Sequence, residues 1–357
     1  VFTPISKDIY KREDLEDIKF SIIIPVRAIN DYLRENIAHI RGLEYNNFEA
    51  LIFLDVRDSE TISEFGADER FRFFGVGEKG PGEKRNIGGF YATGDVLVFL
   101  DDDAYPAPDW LTRAAEVFED EGVYALGAPA VTPPEAPLLE RVSGRILESK
   151  LSGYQTVHRH VPTKRMEIDD YPTVNLFVRK DAFLSVGGFK KDFWPGEDTK
   201  LCLDLVNKFG RRFLYDPGPV VYHHRRTVLL PHLKQISRYG KHRGHFARIY
   251  PETSRLPAYF VPSLFVAGLF LGPILAYFVP PLWAVYFLVL YVYTFLLMYE
   301  VTKVILKDVS LTAGALTGVG IILTHIVYGV NFVLGFVKKP RFELKRIDTA
   351  TGNYVEG

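Results

Sequence analysis

Three consecutive carboxylates, Asp101, Asp102 and Asp103, stand directly after the apolar run Val96–Leu100. The run predicts a buried strand, and ligands of an open α/β sheet bind outside the carboxyl ends of its strands. Adjacent acids repel one another, and Mg²⁺ or Mn²⁺ relieves this with one or two carboxylates plus substrate phosphates. The triplet therefore indicates a metal–diphosphate site, with a solvated acidic turn as the alternative.

The elements that would position the triplet alternate along the chain. Strands are predicted at 21–26, 50–55 and 71–76, with a helix over 31–41 and another that opens at Pro81. Beyond the triplet, residues 197–209 form an amphipathic pattern closed by Gly210, which is typical of a helix with a glycine C-cap. This alternation predicts an α/β fold with a doubly wound, mostly parallel sheet.

The charge distribution is uneven, although the 357-residue chain carries only −1 overall. Residues 225–255 hold eight Lys or Arg against Glu252 alone, and residues 1–224 are strongly acidic. An acidic globular part, a basic neck and an apolar tail describe a membrane-surface protein and argue against a nucleic-acid partner. The single cysteine, Cys202, fits a catalytic domain on the reducing, cytoplasmic face of the membrane.

The second half of the chain predicts membrane association. Residues 229–250 form a basic amphipathic helix, expected to lie in the interface with Leu230, Leu233 and Ile236 towards lipid. Segments 259–279, 282–302 and 313–337 are each long enough to span a bilayer. Four regions follow: a catalytic domain (1–226), an interface region (227–255), about three membrane helices (256–340) and a polar tail (341–357).

Two features of the apolar region concern how its helices pack and how many of them cross the membrane. Gly314 and Gly318 form a GxxxG pattern, which favours helix packing and suggests a homo-oligomer. Three spans would place Lys338, Lys339 and Arg341 opposite the catalytic domain, whereas the positive-inside rule favours the same side. Either the tail breaks that rule or one apolar stretch does not cross as a simple helix.

Several motifs, taken in order, resemble one known family. SIIIPV, the acid after the second strand, KRNIGG, FLDDD, VGGF, WPGED and QISRY follow the pattern of family 2 glycosyltransferases with the GT-A fold. The resemblance covers roughly residues 20–240 and extends to the C-terminal membrane helices of many members. It implies an inverting hexosyltransferase that needs Mn²⁺ or Mg²⁺ and uses a nucleotide-sugar donor.

The resemblance also implies roles on the donor side. The metal would be held by Asp101 and Asp103, with His224 nearby, and Asp55 would read the base. The family often has a second Asp and a Gly-Ser after this acid, but here Val56, Arg57 and Asp58 follow. The residues assigned to the nucleotide-sugar are Pro25, Val26, Asp55, Lys84, Arg85, Asn86, Asp101 and Asp102.

On the acceptor side, Asp198 of WPGED matches the family's catalytic base, with Glu197 the next candidate. One carboxylate must deprotonate the acceptor hydroxyl as it attacks the anomeric carbon. Acids at a helix start also fit simple capping. The acceptor is assigned to Trp194 and to Gln235, Arg238 and Tyr239, whose QISRY segment resembles the QxxRW motif of processive synthases.

Three functions fit this pattern. The first is transfer of one sugar, such as mannose or glucose from a GDP- or UDP-sugar, to a glycolipid or a polyprenyl or dolichyl phosphate. The second is a processive polysaccharide synthase, disfavoured because about three spans are few for a polymer channel. The third is an inactive membrane scaffold, which would not require Asp101, Asp103 and Asp198.

Overall fold

A computed structural model describes residues 18–66, 68–190, 193, 196–210 and 212–338, with the backbone of 345–347 and 354–356. Its main sheet consists of eight strands: β1 (Phe20–Pro25), β2 (Phe48–Leu54), β3 (Phe71–Gly75), β4 (Val96–Leu100), β6 (Ala125–Gly127), β8 (Met166–Glu167), β9 (Asn175–Arg179) and β10 (Phe213–Tyr215). Their order in the sheet is β3-β2-β1-β4-β9-β6-β10-β8. The first four run parallel, β9 is antiparallel to β4 and β6, β10 is parallel to β6, and β8 is antiparallel to β10. The predicted doubly wound, mostly parallel α/β sheet is confirmed.

A second, three-stranded sheet stands beside the acid triplet. It consists of β5 (Ala104–Pro106), β11 (Val221–His223) and β7 (Ala130–Val131). In the antiparallel β5–β11 register, His223 is opposite Ala104, the residue after Asp103. This register brings a histidine 120 positions downstream to the end of β4.

Helices cover both faces of the main sheet, and the core consists of strand residues that are almost fully buried, such as Ile22, Ile23, Val98 and Phe99. The helix at 31–41 is confirmed, and Asn30 caps it by accepting a hydrogen bond from Leu33 N. The helix that opens at Pro81 is confirmed too, with proline at the first helical position where its missing N–H costs nothing. The helices of the catalytic part are α1 (Asp31–Arg41), α2 (Ser59–Ser63), α3 (Pro81–Tyr91), α4 (Trp110–Phe118), α5 (Leu138–Glu148), α6 (Lys150–Gly153), α7 (Lys180–Ser185) and α8 (Glu197–Phe209).

The C-terminal region is helical, as predicted. It contains α9 (Leu230–Ile249), α10 (Pro251–Ser254), α11 (Pro257–Phe278), α12 (Leu282–Asp308) and α13 (Leu311–Val337), followed by the antiparallel pair β12 (Lys345–Ile347) and β13 (Tyr354–Glu356). Of these, α11, α12 and α13 are long and apolar enough to cross a membrane.

Two expectations for this region are wrong in the structure. Ile236 does not face lipid but is 5% exposed, because its side of α9 is covered by the rest of the chain. The glycines of the GxxxG pattern are also covered from within: a Cβ on Gly314 would clash with Ile305, and one on Gly318 would lie 2.8 Å from Val301. Because α12 occupies this face, it is not available to a second copy.

Candidate active site

Each carboxylate of the triplet has its own polar partner. Asp101 Oδ1 accepts from Arg85 at 2.6 Å, and Asp102 Oδ2 accepts from the amide of Asn30 at 2.8 Å. Burial raises the pKa of Asp102, and the neighbouring Asp103 and Asp101 add to this, against the hydrogen bond from Asn30. The three acids are therefore separately held and chemically distinct.

Asp103 is the acid of the triplet whose ionised form its neighbours favour. Its Oδ1 lies 3.3 Å from His223 Nε2, and its Oδ2 accepts from Arg226 at 3.3 Å. Burial alone would raise its pKa, but His223 and Arg226 outweigh burial and hold the pKa below its ordinary value. Asp103 is consequently an anion at neutral pH.

The histidine beside the triplet is His223, and the prediction of His224 is corrected here. His224 Nε2 lies 2.8 Å from Glu35 and its Nδ1 lies 3.4 Å from Glu140, so both ring nitrogens are engaged away from Asp103. Successive side chains of an extended segment point to opposite sides, so only one of the two histidines can face the acid.

The donor set suits a hard divalent cation completed by substrate. Within the described ranges, no group of three or more His, Cys, Asp or Glu side chains is arranged as a metal cage. Mg²⁺ or Mn²⁺ takes one or two carboxylates and completes its shell with phosphate oxygens and water. Asp103, with Asp101 and His223 close by, fits that requirement.

A buried ion pair supports the predicted base-reading acid. Lys84 is only 2% exposed; its ammonium lies 2.5 Å from Asp55 Oδ1 and donates to the Val26 carbonyl at 2.6 Å. Lys84 is thus neither a solvated surface cation nor free for phosphate. It fixes Asp55 and the Val26 carbonyl directly after β1. Pro25, the last residue of that strand, lines the cavity.

Asn86 has a structural contact in place of the predicted nucleotide contact. Its Nδ2 donates to Phe189 O at 2.8 Å, and its Oδ1 accepts from Phe189 N at 2.8 Å. The side chain is buried and joins α3 to the Gly-Gly turn before Phe189. Its effect on a nucleotide is therefore indirect.

Arg85 connects the triplet to the WPGED segment. One guanidinium nitrogen binds Asp101, and the other donates to Glu197 Oε1 at 3.2 Å. Glu197 Oε2 also accepts from Gly196 N at 3.1 Å, so both of its oxygens are occupied. Glu197 is therefore suited to hold Arg85 rather than to take a proton from substrate.

Asp198 has the properties of a general base. Burial raises its pKa to about 7, with further contributions from Glu197 and Asp170, although a hydrogen bond from Thr199 N opposes the shift. A base is most effective when its pKa lies near the working pH. Gly196, two residues before Asp198, has φ +122° and lies against the His242 imidazole, so a side chain at this position would clash with the ring.

The triplet and Asp198 open into one cavity of about 530 Å³ that continues to α11 and α13. Gln235 and Tyr239 of α9 line it one turn apart, with the amide of Gln235 donating to the Tyr239 hydroxyl at 2.9 Å. Arg238 is exposed and does not line the cavity, so its predicted acceptor contact is not supported. Trp194 lies outside the described residues.

A cationic group that the sequence did not reveal also lines this cavity. Arg159 and Arg243 share one partner, Asp170, at 3.2 and 2.9 Å. Arg225 is 8% exposed, and its partners are Ala130 O, Thr132 Oγ1 and His223 Nδ1, all uncharged acceptors when the imidazole is neutral. Burial lowers the pKa of Arg225 to about 10, so it remains a cation at neutral pH. In the sequence, the pair Arg225 and Arg226 directly after the two histidines is the signal that could have pointed to this group.

This fold and site define a GT-A-type domain joined to C-terminal apolar helices. Residues 21–186 match the model of Glycosyl transferase family 2, and these residues form a domain of that family. A mannosyltransferase from Pyrobaculum calidifontis, solved with GDP-Man and Mn²⁺, has the same fold, with a TM-score of 0.51 and 18% identity over 90% of this chain and 87% of its own.

Curated relatives agree with this assignment. The pre-mycofactocin glycosyltransferase of Mycobacterium tuberculosis is 27% identical over 240 residues, or 65% of this chain and 48% of that protein. The glucosyl-dolichyl phosphate glucuronosyltransferase of Haloferax volcanii is 22% identical over 234 residues, or 58% of this chain and 69% of that protein. The chain thus spans about half the length of the mycobacterial relative.

Proposed function

We propose that this protein is an inverting glycosyltransferase that moves a hexose from a GDP- or UDP-sugar to a hydroxyl group of a membrane lipid acceptor. The observation that carries the proposal is Asp198, a half-buried carboxyl whose pKa is raised to about 7, in a cavity that joins the acid triplet to the apolar helices. A catalytically dead scaffold has no need of such a group.

The donor half of the reaction rests on two sets of side chains. Asp55, fixed by Lys84, faces the base, and Asp103 with His223 faces the diphosphate. Mn²⁺ or Mg²⁺ bound at Asp103 would act as a Lewis acid that neutralises charge on the leaving nucleoside diphosphate. Arg85 holds Asp101 in position and offsets part of the repulsion among the three acids.

The acceptor half favours a hydroxyl nucleophile. A phosphate monoester is already ionised near pH 7 and needs no base, whereas a hydroxyl must lose its proton as it attacks. Asp198 would take that proton while the C1–O bond to the diphosphate breaks on the opposite face of the sugar. The result is inversion at the anomeric carbon.

The cationic group indicates that the acceptor is anionic. Arg159 and Arg243 share the single carboxylate of Asp170, and Arg225, which has no carboxylate partner among the described residues, lines the same cavity. Arginine binds phosphate through several parallel N–H donors. A lipid-linked sugar would present both features, a hydroxyl for Asp198 and a phosphate for this group.

The decisive experiment uses the full-length protein in nanodiscs with UDP- and GDP-sugars, with and without a polyprenyl-linked sugar phosphate. We expect acceptor-dependent release of nucleoside diphosphate, lost in Asp103→Ala and reduced about 10²–10⁴-fold in Asp198→Asn. Asp109→Asn changes an exposed acid of α4 and serves as the matched control. Full turnover by both site variants would refute the proposal, and a long polymer as product would favour a processive synthase.

A further inference from the structure

The third apolar helix, α13, packs along its length against α9, which carries many charged residues. His232 Nε2 lies 3.0 Å from Thr324 Oγ1 near the start of the contact, and Arg248 donates to Val337 O at 2.7 Å near its end. Because both residue numbers increase together, α9 and α13 run parallel and side by side. Backbone approaches at glycines, such as Gly244 against Phe332 O, bring them close.

This attachment conflicts with a membrane-spanning α13. The exposed surface of α9 carries Lys234, Arg238 and Lys241, so a spanning α13 would draw these cations into the hydrocarbon. At about 2.5–3.5 kcal/mol for each cation at the bilayer centre, the cost is about 8–10 kcal/mol. The same residues are well placed if both helices lie at headgroup depth.

The start and the middle of α13 also lie against the catalytic part. Just before α13 begins, Asp308 forms two hydrogen bonds with Arg145 of α5, at 2.7 and 3.0 Å. In the middle, His325 Nε2 lies 3.0 Å from the Leu151 carbonyl of α6. A 27-residue helix is about 40 Å long, so a spanning α13 would carry one end far from that domain.

Helices α11 and α12 behave differently. They contact α13 near their domain-proximal ends, through Phe260 on Phe332 and through Val301 beside Gly318. Further out they pack on each other, with Gly272 against Tyr286. The sequence has no charged residue between Arg255 and Glu300, and the outer parts of both helices expose large apolar side chains.

We propose that only the α11–α12 hairpin enters the bilayer core, while α13 lies in the plane of the membrane interface on α9. Lys338, at the end of α13, is then on the catalytic side, which removes the conflict with the positive-inside rule. The cavity wall formed by Tyr259, Thr324 and Tyr328 lies at headgroup depth, so the partner surface is the leaflet facing the catalytic domain.

Depth measurements test this geometry independently of catalysis. Val319 and Val330 of α13 are 49% and 43% exposed and, being three turns apart, lie on one face. Spin labels on Val319→Cys and Val330→Cys in the full-length protein in liposomes should report depths within about 5 Å of each other. A spanning α13 would separate them by about 16 Å and overturn the proposal.

The hairpin supplies the matched control. Leu288 and Tyr299 of α12 are 62% and 58% exposed and also eleven residues apart, so Leu288→Cys and Tyr299→Cys should differ by about 16 Å. The native Cys202 is fully buried, and the unlabelled parent protein gives the background. If a labelled α13 variant does not fold, the side of the membrane on which α13 ends can be measured with Lys338→Cys and an impermeant maleimide. Labelling from the catalytic side supports the proposal, and labelling from the opposite side overturns it.

Discussion

Replacing Asp198 with Asn should separate the catalytic role of this carboxyl from its effect on stability. Asparagine keeps the shape of the side chain but cannot accept a proton from the substrate. With a pKa of about 7, wild-type Asp198 is about one-tenth ionised at pH 6 and about nine-tenths ionised at pH 8. Turnover at saturating substrate should therefore rise about tenfold between these pH values, and the variant should lose both the rise and about 10²–10⁴ in rate.

The same substitution should stabilise the fold, and only above a defined pH. A folded-state pKa of about 7 against an ordinary 3.8 means that the half-buried carboxylate destabilises the protein at high pH, by up to about 4 kcal/mol. The contribution of the protonated form is fully present below pH 3.8 and is lost as pH rises through 7. Asp198→Asn should thus melt several degrees higher than wild type at pH 8 and equally at pH 4.

The assay combines product release over pH 5.5–8.5 with melting curves at pH 4 and pH 8. Binding of the nucleoside diphosphate should remain near normal, since the proposed mechanism assigns Asp198 to the acceptor half of the reaction. The reasoning is refuted if Asp198→Asn turns over normally, or if it melts below wild type at pH 8. The second outcome would show that the carboxylate has a stabilising partner in the folded state.

Three further outcomes are expected. Lys84→Met leaves Asp55 without its cation and should weaken nucleoside diphosphate binding about 10–100-fold by calorimetry, because a charged hydrogen bond contributes about 1.5–3 kcal/mol. His223→Ala should raise the Mn²⁺ concentration for half-maximal activity about tenfold or more, whereas His224→Ala should lower the melting temperature without that change. Arg225→Met should raise the acceptor KM at least tenfold, and by more than it weakens donor binding, since the Arg225 guanidinium also contacts His223 at 2.8 Å.

Each of these has a control and a contrary result. Lys79→Met removes an exposed lysine that precedes the same helix, and equal affinities for the two lysine variants would contradict the role given to Lys84. Identical Mn²⁺ dependence in both histidine variants would remove His223 from the donor site. For Arg225, Arg113→Met on the exposed face of α4 is the comparison, and equal acceptor KM values would exclude the cationic group from acceptor binding.

Short sequence patterns were sufficient to predict the strand and the helix next to the site and to single out Asp101 and Asp198 as candidate site residues. The apolar run before Asp101 and the proline before α3 are local signals, and the structure places β4 and α3 accordingly. Asp198 could be singled out because the WPGED segment resembles the family motif that carries the catalytic base. Its raised pKa could not, since that depends on burial and on Asp170, 28 positions earlier.

What the sequence could not provide is pairing across long separations. Choosing His223 over His224 requires the β5–β11 register, and adjacent histidines look alike without it. The partnership of Arg243 with Asp170 spans 73 positions, so local sequence does not reveal it. Composition likewise shows that α13 is apolar but not which helix lies along it.

The contact between α9 and the WPGED segment has a practical consequence for any attempt to work with the soluble part alone. His242 presses on Gly196, Arg243 neutralises Asp170, and the Phe193 ring lies 5.7 Å from that of Phe246. The WPGED segment therefore has α9 as one of its walls. A chain cut before Leu230 should still fold its sheet and hold a nucleotide, but Asp170, close to Asp198, would lose Arg243 and keep Arg159 as its ion-pair partner. Enzymology on such a fragment would describe a donor-binding protein, so purification with the lipid-facing helices is a condition for measuring turnover at all.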